Sequence, residues 1–248
     1  MFVSDDQVRA YHRDGFVAVR SLFDPELAAE LGDAGRSAIA RAVEEASGDL
    51  LTRPGSDGEP VVDRLEPLVG RFGWFDDAVA DPDLVESASR VLGGPAALFK
   101  EKIILKAPGT RGYDLHQDFA YWQHSGGDPH TMTTAVLALD SADRHNGAIE
   151  VFAGQHRSLL TRPGVPEDPA PGVVDLSRGT ILDLSPGDVM FMHSLTPHRS
   201  APNGSSRSRA ALYFTFMTGD PRGTREAYYR DHQEVHAHEV FRPGRTER

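Results

Sequence analysis

From Ala96 onward the sequence consists of short β-rich runs separated by turn residues, a pattern that restricts the fold more than any other feature. The runs predict strands at 98–105, 131–139, 149–152, 180–184, 189–193 and 211–217. Turns between them are marked by Asn146-Gly147, Pro186-Gly187 and Asn203-Gly204. Many short strands at this spacing are typical of a β-sandwich or jelly roll. We therefore expect a mainly β protein with flanking helices, built as a cupin-like double-stranded β-helix.

The first third of the chain is predicted to supply the flanking helices. Ser4 and Gln7 make a capping-box pattern, which predicts a helix that ends near Gly15. The periodicity then predicts a short strand and two further helices, at 16–19, 24–45 and 81–92. Residues 47–64 are rich in glycine, proline, serine and aspartate, and we expect them to form a surface loop.

We expect a single domain over residues 1–248, because no linker divides the chain. It would contain a helical part over about 1–95, a jelly-roll core over about 96–220 and a C-terminal tail over 221–248. A length of 248 residues with 39% hydrophobic residues is enough for one large core.

Composition excludes several classes of partner. The formal net charge is −11, so we expect neither nucleic acid nor membrane as a partner, and instead a monomer or homodimer that acts on a small molecule. The absence of cysteine excludes disulfides, thiolate nucleophiles and cysteine-bound zinc. The first residues carry acids where a secretory signal has lysine and arginine, and no apolar run approaches the roughly 20 residues of a membrane span. These features predict a cytoplasmic protein.

Lysine is rare in this chain, and its positions are unusual. Only Lys100, Lys102 and Lys106 are present, all at the first predicted strand of the jelly roll, whereas every other residue among the 26 lysines and arginines is arginine. A GC-rich genome explains an excess of arginine. Three lysines within seven residues of one apolar segment indicate a specific use.

A histidine two positions before an acid can place both side chains on one metal ion if the pair lies on a strand. The sequence has this spacing at His12/Asp14, His116/Asp118 and His232/Glu234, and 11 histidines among 37 acids make chance matches expected. The first pair lies at the end of a predicted helix, where side chains two apart diverge, and is expected to be solvated. The third pair lies in the polar tail, close to His236 and His238, where a metal clip is an open alternative.

The middle pair has two distant partners in the sequence. His116 and Asp118 follow a predicted strand and a short turn, and His198 and Arg209 come 80 or more residues later, each next to a predicted strand. Two imidazoles and one carboxylate can occupy one face of an octahedral Fe(II), which leaves three positions for a bidentate ligand and O₂. An arginine fork suits the distal carboxylate of a chelating keto acid. Together the four residues predict an oxygenase, although His198 alone would be interpreted as a turn histidine and Arg209 alone as a strand-end charge.

Four stretches of the chain, in this order, resemble the phytanoyl-CoA dioxygenase family of Fe(II)- and 2-oxoglutarate-dependent oxygenases. The family's helix-strand-helix opening is similar to DDQVRAYHRDGFVAVRSLFDPEL, and the strand leading into its first two ligands is similar to KEKIILKAPGTRGYDLHQDFAYW. Its NG-x6-GSH stretch is similar to NGAIEVFAGQH, with Gln155 in place of serine. Its segment with the last histidine and the arginine is similar to PGDVMFMHSLTPHRSAPNGSSRSRAAL. The resemblance extends from about Ser4 to about Met217.

The resemblance implies a role for individual residues. The metal ligands and catalytic centre would be His116, Asp118 and His198. The contacts to 2-oxoglutarate would come from Arg209, Lys102, Ser200, Trp122 and Asn146. Related halogenases have glycine or alanine in place of the carboxylate ligand, so Asp118 implies hydroxylation or another oxidation. The cofactors would be Fe(II), 2-oxoglutarate as co-substrate and O₂, with succinate and CO₂ as co-products.

The flanks of the ligand motifs supply a candidate substrate pocket, formed by Phe119, Tyr121, His124, His130, Met192 and His193. Aromatic side chains can stack on ring faces and an acidic protein can attract an amine. The expected substrate is therefore a small specialised metabolite, such as an amino sugar or an amino-acid derivative. One alternative is oxidative cyclisation, desaturation or epoxidation of a polyketide or terpenoid at the same site. The others are a non-oxidative cupin-type metalloenzyme and a metal-free binding module.

Overall fold

Two antiparallel sheets face each other in the computed structural model, which describes residues 2–55, 58–162, 165–169, 172–219 and 221–236. The strands are β1 (Phe16–Val19), β2 (Leu50–Pro54), β3 (Pro60–Leu65), β4 (Ala97–Lys106), β5 (Tyr113–His116), β6 (Met132–Ala138), β7 (Ile149–Phe152), β8 (Thr161–Arg162), β9 (Val165–Pro169), β10 (Gly179–Ile181), β11 (Val189–His193), β12 (His198–Ser200) and β13 (Arg209–Met217). The helices are α1 (Asp5–Asp14), α2 (Pro25–Glu44), α3 (Gly73–Val79), α4 (Pro82–Leu92), α5 (Phe119–Trp122) and α6 (Pro221–His236).

The strand order is that of a jelly roll. The larger sheet runs β1-β11-β6-β13-β4-β3-β2 and the smaller sheet runs β10-β7-β12-β5, while β8 and β9 form a separate hairpin. Apart from β2, β3 and β4, neighbouring strands are non-consecutive in sequence, so the chain crosses repeatedly between the two sheets. The predicted fold class, mainly β with flanking helices, is confirmed.

Apolar side chains fill both faces of the larger sheet. Leu31 of α2 and Leu84 of α4 belong to one buried cluster with Phe191 and Phe214 on the outer face of the sheet. A second cluster, which includes Val136 of β6, occupies the space between the sheets. Burying a leucine or phenylalanine side chain stabilises a fold by about 1.5–3 kcal/mol. Because β6, β11 and β13 are covered on both sides, they are buried along almost their whole length and do not alternate between buried and exposed residues.

The predicted loop over 47–64 is wrong, because most of this segment forms a hairpin. Strands β2 and β3 pair with each other, and β3 pairs with β4 at the edge of the larger sheet. Leu50 lies opposite Leu65, and both side chains are buried. The turn-forming residues are concentrated near the tip of the hairpin, where they dominate the composition of the segment.

The first part of the predicted tail over 221–248 is helical, because α6 occupies Pro221–His236, and residues 237–248 lie outside the described residues. The assignment of residues 1–248 to a single domain stays a prediction. The predicted strand at 180–184 is shorter than expected and ends at Ile181. The capping box of α1 is confirmed, with both the Ser4 and the Gln7 side chain bonded to the backbone. Within the described part of the chain, no helix combines the length and the apolarity needed to cross a membrane.

Candidate metal centre

The two predicted histidine ligands lie side by side on neighbouring strands of the smaller sheet. His116 ends β5 and His198 begins β12, and the antiparallel register places them directly opposite each other. Their ring centroids are 4.2 Å apart. Cross-strand pairing therefore joins two residues that are 82 positions apart in the sequence.

Both imidazoles are oriented by the backbone. His116 Nδ1 is 2.6 Å from the Asp114 carbonyl oxygen, and His198 Nδ1 is 3.0 Å from that of Thr196. A proton on Nδ1 satisfies each carbonyl, which leaves the Nε2 lone pair free for a metal. Burial, together with the charge that His198 would carry, lowers the pKa of His116 to about 3. His116 is thus neutral at physiological pH, as a metal ligand must be.

Asp118 completes the cluster two residues after His116. Its Oδ1 is 3.9 Å from Nε2 of each histidine, and the three ligand atoms all lie within 4.8 Å of one another. Burial favours a protonated carboxyl, but the charges of His198 and Lys102 outweigh it, and the pKa of Asp118 is lowered. Thr134 Oγ1 donates to Asp118 Oδ2 at 3.3 Å. The geometry is that of two imidazole nitrogens and one carboxylate oxygen around a common point.

Arg209 lies at the start of β13 and is almost completely buried. Its Nε has no hydrogen-bond partner among the described residues. Burial raises the pKa of the neighbouring Tyr213, and the charge of Arg209 partly opposes that shift. An unsatisfied buried N–H is costly, so such a donor indicates that a ligand completes the site. A carboxylate is the natural partner of this guanidinium.

Lys102 and Ser200, two further predicted contacts of the co-substrate, lie on opposite sheets. The Lys102 ammonium is 5.3 Å from the centre of the Tyr213 ring. Burial, followed by the charges of Lys100 and Arg64, lowers the pKa of Lys102 to about 8. Ser200 is buried at the end of β12, two residues after His198 and therefore on the same face of the strand.

Trp122 and Asn146 have structural partners of their own. Trp122 is buried and makes an edge-to-face contact with Phe99, with ring centroids 5.5 Å apart. Asn146 is buried and bonds to Ser141 and Asp143 within its own turn. These contacts explain the conformation of both residues, and their contact with 2-oxoglutarate stays a prediction.

The predicted pocket residues are only partly brought together. Tyr121 is 42% exposed and its ring is edge-on to His116, with centroids 5.7 Å apart. Phe119 is buried in the cluster around Trp122, and Met192 is buried between the two sheets. His124 is exposed in the turn after α5. Of these residues, Tyr121 is the one with a direct contact to a metal ligand.

His193 and His130 form a different cluster. His193 follows Met192 on β11 and so faces the opposite side of the sheet. There its ring centroid is 5.1 Å from that of His156 and 6.2 Å from that of Tyr11. His130 is 5.6 Å from His193. The structure therefore does not bring these two histidines to the metal centre.

The competing histidine–acid pairs do not form a site in the described residues. His12 and Asp14 end α1, and Asp14 pairs with Arg13. In the described part of the chain, His116, Asp118 and His198 are the one group whose ligand atoms converge. The side chains of His232, Glu234 and His236, and all of His238, lie outside the described residues.

Two residues of the site were given no role by the sequence analysis. Gln117, between the ligands, is fully buried and bonds to Ser158, Leu160 and Leu195. Thr134 orients Asp118 from β6. A polar residue inside an apolar strand, such as Thr134, indicates a specific contact. Which residue it contacts depends on the pairing of strands that are distant in sequence.

The family model described as phytanoyl-CoA dioxygenase (PhyH) matches residues 11–211. The chain belongs to the phytanoyl-CoA dioxygenase family. With the three ligands of this family in place, it is an iron- and 2-oxoglutarate-dependent dioxygenase, and its cofactors are iron, 2-oxoglutarate and O₂. The predicted family, enzyme class and cofactors are confirmed.

Similar proteins include enzymes named for small phosphonates. The methylphosphonate hydroxylase of Gimesia maris is 31% identical over 173 residues, which are 68% of this chain and 63% of that protein. The 2-aminoethylphosphonate dioxygenase of the uncultured bacterium HF130_AEPn_1 is 26% identical over 94% of this chain and 88% of that protein. The structure of AviO1 from Streptomyces viridochromogenes Tue57 has a TM-score of 0.71 at 24% identity, covering 88% of this chain and 96% of that one.

Proposed function

We propose that this dioxygenase hydroxylates a C–H bond of a small metabolite, with succinate and CO₂ as co-products. The observation that carries the proposal is the convergence of His116, Asp118 and His198 within 4.8 Å. Arg209, buried and with an unsatisfied Nε among the described residues, supports a dicarboxylate co-substrate. The residues present therefore fit both iron(II) and 2-oxoglutarate.

Each residue has a defined task in this proposal. His116 and His198 offer Nε2, and Asp118 offers Oδ1, so the three groups would hold iron(II) on one face. Thr134 and the two backbone carbonyls fix the ligand orientations. Arg209 would orient 2-oxoglutarate through its distal carboxylate. Iron(II) with 2-oxoglutarate and O₂ supplies the oxidant for the C–H bond, and the buried setting of the ligands excludes water.

Asp118 also supports hydroxylation over halogenation. A carboxylate at this position occupies the place that a halide would need at the metal. Its lowered pKa keeps it ionised, and Thr134 keeps it directed towards the two imidazoles. Asp118 therefore supports an oxidation other than halogenation, and hydroxylation is the outcome that we propose.

For the substrate we propose a small polar metabolite with an amino group, such as an amino sugar or an amino-acid derivative. Tyr121, exposed beside His116, offers an aromatic face next to the metal centre. The negative net charge favours the approach of cations. The name of the 2-aminoethylphosphonate dioxygenase also includes an amine. A screen of amino sugars, amino acids and phosphonates for stimulated succinate release tests this class; stimulation by uncharged terpenoids or polyketides alone would contradict it.

Replacement of the carboxylate ligand tests the reaction itself. Asp118→Ala removes the one anionic ligand, so iron-dependent conversion of 2-oxoglutarate to succinate is expected to fall by about a hundredfold or more. Succinate is measured under O₂ with added Fe(II). Asp77→Ala, which removes an exposed carboxylate on α3, is the matched control and should retain wild-type turnover. Undiminished turnover by Asp118→Ala would refute the ligand assignment.

A further inference from the structure

Lys106 lies at the junction of the two sheets, next to the co-substrate end of the site. It ends β4, and its register partner on the neighbouring strand β13 is Arg209. Its side chain is 1% exposed and reaches the smaller sheet, where Nζ donates to Ser200 Oγ at 2.8 Å. None of the roles inferred so far uses this buried cation.

The other donors of Lys106 are also engaged. Nζ donates to the carbonyl oxygens of Ala201 and Gly147, the latter at 3.3 Å. Three acceptors match the three N–H donors of an ammonium, whereas a neutral amine has two. Gly147 has a φ of +74°, and a Cβ there would lie 2.6 Å from Nζ. The turn is thus shaped around the ammonium.

The hydrogen bonds of Ser200 determine where its own proton points. Ser200 Oγ accepts from Lys106 Nζ at 2.8 Å and from the Tyr113 N–H at 3.2 Å. A hydroxyl has two acceptor lone pairs and one donor, so both acceptor positions are filled. Among the described residues no oxygen accepts the Ser200 hydrogen. The hydroxyl can therefore only donate to something else.

We infer that Lys106 is a positioning residue that turns the Ser200 hydroxyl into an obligate donor to the distal carboxylate of 2-oxoglutarate. The inference rests on the proposed function, since it assigns that carboxylate to the space between Ser200 and Arg209. Ser200 shares the strand face of His198, and Lys106 is the cross-strand partner of Arg209. Lys106 itself does not touch the co-substrate, because its three donors are already used.

Electrostatics support this arrangement. Burial, followed by the charges of Arg209 and Arg53, lowers the pKa of Lys106 to about 7, and Asp63 partly opposes the shift. An anion bound beside Arg209 would favour the charged form. Loss of the Lys106 proton would leave an amine that accepts the Ser200 hydrogen, and the hydroxyl would then turn away from the ligand.

An anaerobic titration of the Fe(II)-loaded protein with 2-oxoglutarate, followed by its visible absorbance band, tests the inference. Lys106→Met and Ser200→Ala are each expected to raise the Kd of 2-oxoglutarate about tenfold. The double variant should bind no more weakly than Ser200→Ala alone, because both changes remove the same hydrogen bond. Multiplying effects would show that Lys106 acts independently of Ser200 and would overturn the inference, as would an unchanged Kd in Lys106→Met.

Two controls separate this mechanism from general damage. 2-Oxobutyrate chelates through the same keto-acid group but lacks the distal carboxylate, so its affinity should be equal in wild type and Lys106→Met. Lys106→Gln keeps two N–H donors and can be used instead if Lys106→Met does not fold. It should bind 2-oxoglutarate more tightly than Ser200→Ala does. Binding no tighter than Ser200→Ala would count against the inference. Absence of the band in the wild type would instead refute the proposed function.

Discussion

Two lysines near the metal centre have lowered pKa values, so their protonation depends on the ligand that is bound beside them. Lys102 interacts electrostatically with Asp118, and Lys106 of β4 lies directly opposite Arg209 of the neighbouring strand β13. Burial removes water from these side chains, so nearby negative charge determines their protonation. Asp63 is the acid that raises the pKa of Lys106, but it already forms ion pairs with Arg53 and Arg64. A dianionic co-substrate supplies the charge that this part of the site otherwise lacks.

The affinity for 2-oxoglutarate is therefore expected to fall as pH rises above about 7. Lys106 has a pKa of about 7 in the free protein, and a dianion beside Arg209 raises that pKa. Binding then takes up a proton above pH 7 but not below it, so the Kd should rise by up to about tenfold per pH unit. Anaerobic absorbance titrations between pH 6.5 and pH 9 measure this dependence.

Lysine replacements identify the source of the slope. Lys106→Met should remove the part of the pH dependence between pH 7 and pH 8. Lys102, whose pKa is lowered to about 8, should account for the part above pH 8. Arg53, Arg209 and Tyr113 also face Lys106. Burial raises the pKa of Tyr113, and a guanidinium does not lose its proton in proteins, so Lys106 is the group among them that titrates in this interval. Equal slopes in wild type and Lys106→Met would contradict the assignment.

The sequence predicts that His116, Asp118 and His198 share one site, because the chemistry of iron limits the residue types, a strand limits the spacing of the first two, and the resemblance adds the third. The structure brings these three side chains together. The cluster of lysines also stands out in the sequence, but nothing in it indicates a role for Lys106. Lys106 acquires its role from Ser200 and Gly147, which β-sheet pairing brings to it from other parts of the chain.

Among the strands and loops, Gln117 connects the two halves of the metal centre. Its Nε2 donates to the carbonyl oxygens of Ser158 and Leu195, and its Oε1 accepts from the Leu160 N–H at 2.6 Å. Leu195 lies in the turn before His198, and Leu160 precedes the β8–β9 hairpin. One buried amide therefore fixes the ligand segment of β5 against both.

Gln117→Leu is expected to destabilise the protein and weaken iron binding together. The leucine would leave the buried Leu195 carbonyl without a partner, at about 1–3 kcal/mol, and would also remove the part-buried bonds to Ser158 and Leu160. Displacement of the flanking ligands should lower Fe(II) affinity about tenfold or more. Thermal unfolding and Fe(II) titration measure the two effects. Gln123→Leu, which removes a bond to Ala120 within one helical turn, is the control. Wild-type iron affinity in a folded Gln117→Leu protein would refute the positioning role.

The elements with strong local signals were predicted well, and those that depend on pairing were not. Helix α2 and strand β7 follow from periodicity, whereas the β2–β3 hairpin was expected to be a loop. Its strands are short, and the turn-forming residues Gly55, Ser56, Asp57 and Gly58 lie between them in the sequence. The apolar pair Leu50 and Leu65 becomes a signal only when the two strands are known to face each other.

For the chain as a whole, α6 ties the end of the fold to its centre. Arg225 pairs with Glu101 of β4 at 2.6 Å, and Glu101 also accepts from the Leu68 and Val69 N–H groups. Tyr228 donates to Glu66 at 2.9 Å. The polar composition of this segment predicted a tail, because its few buried residues meet partners that only the folded chain provides.

Removing the cation of this anchor should cost more stability than removing the whole ion pair. Arg225→Met leaves Glu101, which is 0% exposed, as a buried carboxylate without its guanidinium, at a cost of about 3 kcal/mol. In the double variant Glu101→Gln/Arg225→Met, the amide oxygen can still accept the Leu68 and Val69 N–H groups and no charge is stranded. Its free energy of unfolding, from urea denaturation, should therefore exceed that of Arg225→Met. Arg230→Met, at an exposed position of the same helix, should be neutral. A double variant less stable than Arg225→Met would show that Glu101 holds the fold through its charge even without the arginine, and α6 would then not be the anchor.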